Sequence, residues 1–176
     1  MTTQIILAGF GGQGILFAGK LLAYAGMLKG KEVSWLPSYG PEMRGGTANC
    51  HVIISDRPVA SPIIQKPNVL IALNGPSLDK FENAVVPGGL ILYDSSLISR
   101  KVNRTDLTVM GVPATQMAVD HQVDKLANMV MIGKFAKQDD TLTLDEIKEA
   151  MKKSVPAKKA ALLETNNRVL DAGYAL

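Results

Sequence analysis

The sequence predicts an α/β fold of three layers, α/β/α, with a mainly parallel sheet, and three observations favour this class. Short apolar runs typical of buried strands alternate with helix-compatible segments as far as Val112, which is the pattern of β-α-β units. From about Thr115 onward the pattern is helical, which predicts a helical C-terminal tail. The chain has 176 residues, 47% of them hydrophobic, and no repeat or linker divides it, so a single domain is expected over residues 1–176.

The first predicted unit is a strand, a glycine-rich turn and a helix. Gln4–Ala8 is apolar enough for a buried strand, and Gly9–Gly14 is expected to form the turn. A helix is expected from Ile15 to about Leu28. It should end near Gly30, because glycine readily adopts the left-handed conformation that follows a helix.

The second unit contains a long loop. A short strand at Val33–Leu36 is expected to stop at Pro37, where a loop rich in proline and glycine begins and extends to Ala48. The β-branched segment Asn49–Ser55, ended by Asp56-Arg57-Pro58, predicts a further strand. Because no helix precedes this strand, we expect it to run antiparallel and to make the sheet mixed.

The remaining elements follow the same signals. Three more strands are expected at Val69–Leu73, Gly89–Tyr93 and Leu107–Val112. A helix is expected at Ser77–Ala84, between the first and the second of these strands. The segment "TLDE" (143–146) predicts a capping box, in which Thr143 caps the amide of Glu146. Pro156 suits the first turn of a last helix that runs towards Ala172.

Composition excludes several classes of function. A net charge of +3, with acidic residues mixed among the lysines and 5% aromatic residues, disfavours a nucleic-acid-binding module. The single cysteine, Cys50, excludes an internal disulfide, a thiolate zinc site and an iron–sulfur cluster built from this chain alone. No basic leader begins the chain and no apolar run reaches membrane-spanning length, so a cytoplasmic protein without a membrane partner is expected.

The turn Gly9–Gly14 matches the pattern G-x-G-x-x-G between a strand and a helix. Glycines let the backbone approach an anion, and a helix start offers free N–H groups and the positive end of the helix dipole, worth about 0.3–1 kcal/mol to a charge. The turn therefore favours an anionic group such as a phosphate. A second interpretation stays open, in which the glycines only permit close packing of strand, turn and helix.

Two nucleotide-binding interpretations of this stretch meet obstacles. NAD binding requires a carboxylate at the end of the second strand, but that strand ends "VSWLPS", and Glu32 stands before it. The stretch Gly14–Leu21 is similar to a P-loop, but Leu21 replaces the hydroxyl residue that contacts magnesium, and the match falls inside the predicted helix. A stand-alone FAD- or NAD(P)-dependent oxidoreductase that uses the glycine turn is therefore the alternative function.

No catalytic group is identified in the sequence. Cys50 and His51 are adjacent on a predicted strand, so their side chains point to opposite faces and cannot form a thiolate–imidazole pair. His121 is expected at the surface near a helix end. Asp94-Ser95-Ser96 follows a strand, where α/β sites collect, but no histidine partners it, and a helix cap is the better interpretation. We expect no catalytic residue and no metal site.

The long loop contains the remaining candidate, the stretch "YGPEMRGGTANC" (39–50). Arg44 can hold a carboxylate or phosphate in a bidentate fork, with help from the amides of Gly45 and Gly46. The competing interpretation is an ordinary surface arginine. A loop this long between short strands is more often functional than decorative.

Four blocks of sequence in order resemble the gamma subunit of 2-oxoacid:ferredoxin oxidoreductases. They are "GFGGQGILFAGKLLA" (9–23), "PSYGPEMRGGTANCHV" (37–52), "ALNGPSLDKF" (72–81) and "VPGGLILYDSSL" (86–97). The loop is most similar to that of the 2-oxoglutarate and 2-oxoisovalerate enzymes, with the pyruvate enzymes as close relatives. The family's turn and loop map onto Gly9, Gly11, Gly12, Gln13 and Gly14 and onto Met43, Arg44, Gly45, Gly46 and Thr47.

The resemblance implies a role inside a complex. In the family, a Rossmann-like gamma domain packs against alpha and beta chains and a ferredoxin-like delta chain, which carry thiamine diphosphate and iron–sulfur clusters. The complex decarboxylates a 2-oxoacid oxidatively to an acyl-CoA and CO2, and it reduces ferredoxin. The resemblance thus implies that this chain carries no cofactor alone, that it serves assembly and the coenzyme A region, and that the isolated chain is inactive. It leaves the particular 2-oxoacid open.

Overall fold

A six-stranded mixed sheet organises the chain. The computed structural model describes residues 1–38, 47–156 and 160–176. Its strands are β1 (Thr2–Phe10), β2 (Glu32–Ser38), β3 (Thr47–Ser55), β4 (Val69–Ala72), β5 (Leu90–Asp94) and β6 (Thr108–Val112). Its helices are α1 (Ile15–Leu28), α2 (Gly75–Phe81), α3 (Ala114–Asp120), α4 (Ala127–Gln138), α5 (Leu144–Ser154) and α6 (Ala160–Ala175), with a 3₁₀ turn at Glu82–Ala84.

The strand order is β2-β3-β1-β4-β5-β6, and β3 alone opposes the direction of the others. Its register pairs Leu7 with Cys50 and Phe10 with Thr47, while β1 pairs in parallel with β4. The predicted mixed, mainly parallel sheet is confirmed. β3 follows its sheet neighbour β2 after residues 39–46, a connection shorter than the roughly dozen residues that a parallel neighbour needs.

Alternation along the strands produces two cores, one on each face of the sheet. Ile5 and Leu7 of β1 point into the larger core, which also buries residues of α1, α3, α4, α5 and α6. Ile6 and Ala8 point into the smaller core, which is closed by Leu78 of α2 and by loop residues. The predicted helical tail therefore covers the same face as α1, and helices lie on both sides of the sheet.

Several predicted boundaries shift in the structure. The expectation that Pro37 ends the second strand is wrong, because β2 continues to Ser38. Proline is tolerated there since β2 is an edge strand, where the missing N–H breaks no ladder on the open side. Gly9 belongs to β1 and not to the turn, because pairing with β3 extends β1 to Phe10. The helix predicted at Ser77–Ala84 begins at Gly75 and ends as the 3₁₀ turn.

Local signals for helix ends are confirmed. Helix α1 spans Ile15–Leu28 as predicted, and Gly30 has a φ of +77°. Thr143 and Glu146 form both hydrogen bonds of the capping box at the start of α5. Pro156 lies just before residues 157–159, which are outside the described ranges, so its place in the last helix stays a prediction. Among the helices that the structure describes, none is long and apolar enough to cross a bilayer.

Candidate functional site

The glycine turn lies at the point where the sheet changes its winding. Strands β1 and β4 are parallel neighbours, but β1 leads into α1 on the larger core while β4 leads into α2 on the smaller core. The two connections diverge to opposite faces, and this topology is the kind that places a crevice at the carboxyl ends of the strands. In open α/β sheets such a crevice is the usual place for a ligand.

The shape of the turn depends on Gly12 and Gly14 inside it and on Gly9, which lies in β1 just before it. Gly12 and Gly14 have φ angles of +92° and +71°, which non-glycine residues rarely adopt. Gly14 is the residue that precedes α1, in the left-handed conformation. A Cβ on Gly9 would lie 2.5 Å from Oε1 of Gln13, so Gly9 makes room for that side chain.

Gln13 closes the inner end of the crevice. Its Oε1 accepts a hydrogen bond from the Phe10 N–H at 2.6 Å, and its Nε2 donates to the Leu73 carbonyl at 3.1 Å. The side chain therefore joins the end of β1 to the end of β4 across the crevice. One backbone donor of the turn, the N–H of Phe10, is already engaged by the protein.

Asn128 fixes the start of α1 from the far part of the chain. It is 4% exposed, and its Nδ2 donates to the Gly14 carbonyl at 3.1 Å. A Cβ on Gly14 would overlap that same Nδ2, so glycine is required at this position for space as well as for backbone conformation. Sequence reasoning missed Asn128, since 114 residues separate it from Gly14 and no motif surrounds it.

The free donors of the turn are backbone amides on its outer rim. Within the described part of the chain, the N–H groups of Gly11, Gly12 and Gly14 have no acceptor. Helix α1 has no side-chain cap from any described residue and no acidic residue in its first turn. Donors and dipole together suit an anionic group. Asn74 is buried between β4 and α2 and caps that helix, because its Oδ1 accepts a hydrogen bond from the Ser77 N–H, whereas its Nδ2 has no partner among the described residues.

The ends of the long loop, the second candidate element, lie next to the glycine turn. Arg44, Gly45 and Gly46, and Met43 before them, lie outside the described residues, and Thr47 is described only as the first residue of β3. Phe10 pairs with Thr47, and Ser38 pairs with Asn49. Both ends of the loop therefore lie at the same end of the strands as the glycine turn.

The structure places Cys50 and His51 on opposite faces, as predicted. Cys50 is buried in the larger core, where desolvation raises the pKa of its thiol to about 12, so it stays protonated and is a poor nucleophile and metal ligand. His51 accepts a hydrogen bond at Nδ1 from the Ile64 N–H at 2.9 Å, and burial lowers its pKa. The surroundings of both residues favour a structural role over a catalytic one.

Asp94 caps a helix, as expected. It is fully buried, and its carboxylate accepts hydrogen bonds from the N–H and Oγ1 of Thr115, the second residue of α3, with the hydroxyl at 2.5 Å. Ser96 accepts from the Gln116 N–H at 3.1 Å. His121 is half-buried just after α3, and its carbonyl accepts from Arg168. Among the residues that the structure describes, no His, Cys, Asp and Glu side chains cluster as a metal site.

Fold and site together define an α/β domain with an anion-compatible glycine turn and, in the described ranges, no assembled catalytic group. The chain belongs to the pyruvate ferredoxin/flavodoxin oxidoreductase family, whose model matches residues 4–176. The resemblance to gamma subunits is confirmed.

Relatives agree on this membership. The chain is 44% identical over 171 residues to the ketoisovalerate oxidoreductase subunit VorA of Methanothermobacter thermautotrophicus, covering 97% of this chain and 35% of VorA. It is 36% identical over 159 residues to the 2-oxoglutarate synthase subunit KorC of Methanocaldococcus jannaschii, covering 89% of this chain and 85% of KorC. The chain thus spans about a third of the VorA relative and most of the KorC relative.

Solved structures share the fold. The gamma subunit of a keto/oxoacid ferredoxin oxidoreductase from Geobacter sulfurreducens superposes with a TM-score of 0.87 at 28% identity, covering 99% of this chain and 95% of that one. A 2-oxoglutarate:ferredoxin oxidoreductase from Magnetococcus marinus superposes with a TM-score of 0.89 at 24% identity, over 99% of this chain and 30% of that one.

Proposed function

We propose that this chain is the gamma subunit of a 2-oxoacid:ferredoxin oxidoreductase. The complex decarboxylates a 2-oxoacid oxidatively, transfers the acyl group to coenzyme A and passes the electrons to ferredoxin. The observation that supports this most is the family match over residues 4–176, joined by relatives named as subunits of ketoisovalerate and 2-oxoglutarate enzymes. The cytoplasmic location expected from the sequence is part of the same proposal.

The redox and decarboxylation cofactors belong to the partner chains in this proposal. Thiamine diphosphate and iron–sulfur clusters are assigned to the alpha, beta and delta subunits. A cubane cluster needs four thiolates, and this chain has one cysteine, Cys50, whose buried thiol has a pKa raised to about 12. The chain's own residues therefore do not suit a cluster.

The proposed contribution of this chain is a polar rim at the sheet edge. The amides of Gly11, Gly12 and Gly14 and the start of α1 would bind an anionic group, and Gly9 and Gln13 would hold the turn in shape. Arg44, Gly45, Gly46 and Thr47 would form the second wall, where the Arg44 guanidinium meets an anionic group of coenzyme A or a partner's carboxylate.

The alternative, a stand-alone FAD- or NAD(P)-dependent oxidoreductase, is not favoured. Glu32 is the first residue of β2, so it lies at the end of the strands that is opposite to the glycine turn. The strand beside β1 on that side is the antiparallel β3, which begins rather than ends next to the turn. Flavin or nicotinamide absorbance and mass in the purified, isolated chain would restore this alternative.

Co-purification tests the proposed function. Tagged chain expressed with its complex is expected to retain partner subunits, thiamine diphosphate and iron, and to reduce a viologen dye only when a 2-oxoacid and coenzyme A are present. A preparation that contains this chain but lacks 2-oxoacid-dependent reduction would contradict the proposal.

Arg44→Ala tests the loop within that complex. We expect a loss of about tenfold or more in kcat/KM for coenzyme A, because a charge-assisted bidentate contact is removed. Arg57→Ala is the matched control, since Arg57 is an exposed arginine just beyond β3 at the opposite sheet edge. Unchanged kinetics in the Arg44 variant would remove the proposed role.

A further inference from the structure

Helix α1 is apolar on nearly all sides. Lys20 is the one charged residue in its sequence, ILFAGKLLAYAGML. The inner side packs into the larger core, yet Phe17 and Met27 on the outer side are 44% and 51% exposed. A helix that is hydrophobic all round is normally buried on all sides, so the outer side of α1 is suited to a contact outside this domain.

The exposed residues of α1, together with the half-buried Tyr24, form one continuous face. At about 100° per residue, Phe17, Lys20, Tyr24, Met27 and Leu28 fall within an arc of about 100°. The rise of about 1.5 Å per residue makes this face about 16 Å long. We call these five residues the α1 outer face.

A groove runs beside the first half of this face. It has a volume of about 300 Å³ and is lined by Phe17, Lys20, Leu21 and Tyr24 of α1 and by Lys153 and Ser154 at the end of α5. Two lysines therefore border an apolar groove. Lys153 pairs with Glu149, whereas Lys20 forms no ion pair with any residue in the described ranges.

We propose that the α1 outer face and its groove dock an apolar segment of another subunit, one that carries a carboxylate. The apolar side chains of that segment cover Phe17 and Met27, and its carboxylate pairs with Lys20. This inference rests on the proposed function, because the partner is taken to be another subunit of the same complex.

Two observations favour a different chain over a second copy as the occupant. A two-fold contact through this face would place Lys20 and its symmetry mate in one small apolar interface, and like charges there are unfavourable. In VorA the matching segment makes up 35% of the polypeptide, so that domain is joined to a longer chain of different sequence.

A negative charge introduced on the α1 outer face tests the proposal in the purified complex. Lys20→Glu and Met27→Glu are each expected to weaken binding of this chain to its partner subunits by about tenfold or more. Both side chains are exposed, so the isolated variants should unfold at the wild-type temperature. Val119→Glu, at a residue 49% exposed on α3, and Lys66→Glu are the matched controls and should bind normally.

Photo-crosslinking identifies the occupant. A photoreactive phenylalanine analogue in place of Met27 should crosslink to a segment of another subunit that contains apolar residues and a carboxylate, and the same analogue at Val119 should not. A crosslink to a second copy of this chain, or normal assembly of both α1 variants, would overturn the inference alone. If the wild-type chain assembles with no decarboxylating subunit, the proposed function fails and this inference fails with it.

Discussion

Gly14→Ala probes the contact that holds the glycine turn against the C-terminal helices. Gly14 has a φ of +71°, and the added methyl group would overlap Nδ2 of Asn128. The substitution therefore imposes two separate costs, one on the backbone of residue 14 and one on a buried side chain that has to move.

The magnitude follows from these two costs. The left-handed conformation costs a non-glycine residue about 1–2 kcal/mol. Displacing Asn128 loses its bond to the Gly14 carbonyl and leaves a buried amide unpaired, which costs about 1–3 kcal/mol more. We expect Gly14→Ala to lower the free energy of unfolding by about 2–5 kcal/mol.

A double-mutant cycle with Asn128→Ala separates the two costs. Removing the Asn128 side chain first also removes the overlap, so Gly14→Ala should then cost only the backbone strain. The double variant should be more stable than the sum of the single effects predicts, by about 1–3 kcal/mol, which is the cost of displacing Asn128. Urea unfolding of the isolated chain, followed by circular dichroism, measures all four free energies.

Gly12→Ala supplies the matched control. Gly12 has a φ of +92°, but no atom lies within 4 Å of its added Cβ. It should carry the backbone cost alone and be additive with Asn128→Ala to within about 0.5 kcal/mol. Additivity of the Gly14 and Asn128 substitutions would refute the reasoning, since it would mean that the two residues do not contact each other in solution.

Three further predictions concern the cores. Gly133→Ala should lower the melting temperature sharply, because its Cβ would overlap the Leu170 carbonyl where α4 crosses α6, and backbone cannot move aside as a flexible side chain can. Cys50 should resist iodoacetamide at about pH 8 in the native chain and react in denaturant, as mass spectrometry would show, since its pKa is raised to about 12. Burial lowers the folded-state pKa of His51 below 6.5, so its contribution to stability is present above that value and is lost as pH falls through the folded pKa. Urea midpoints measured between about pH 7.5 and 5 should therefore fall less in His51→Gln than in the wild type.

Local signals were enough to predict the elements around the site. The bounds of α1 followed from a glycine on each side of an apolar run, and both chemical partners of the capping box lie within four residues. The antiparallel β3 could be inferred from a connection without a helix. Pro37 misled because proline excludes a strand only where both ladder edges are used, and edge position depends on strand order, which the local sequence does not encode.

Contacts distant in sequence could not be predicted. The hydrogen bond from Asn128 to Gly14 and that from Gln13 to Leu73 depend on how α4 and β4 are placed around β1. The residue type predicts neither hydrogen bond, because Asn and Gln are common on helices and in turns. The predicted Arg44–Gly46 wall lies outside the described residues and stays a prediction, although the paired ends of the loop lie at the glycine turn's edge of the sheet.

The position of β3 gives a physical reason why this glycine turn suits a ligand held jointly with another chain. In a dinucleotide-binding sheet, a parallel strand ends beside the turn and supplies the carboxylate for the ribose. Here Thr47, the start of an antiparallel strand, lies opposite Phe10, and Gln13 fills the inner end of the crevice. Of the three donors that remain, those of Gly11 and Gly12 are exposed on the outer rim and that of Gly14 is half-buried. They can reach an anionic group only from outside the sheet edge, where little of a ligand would be buried by this chain alone. In the proposed function, another subunit therefore supplies the rest of the enclosure, because a pocket normally buries most of its ligand.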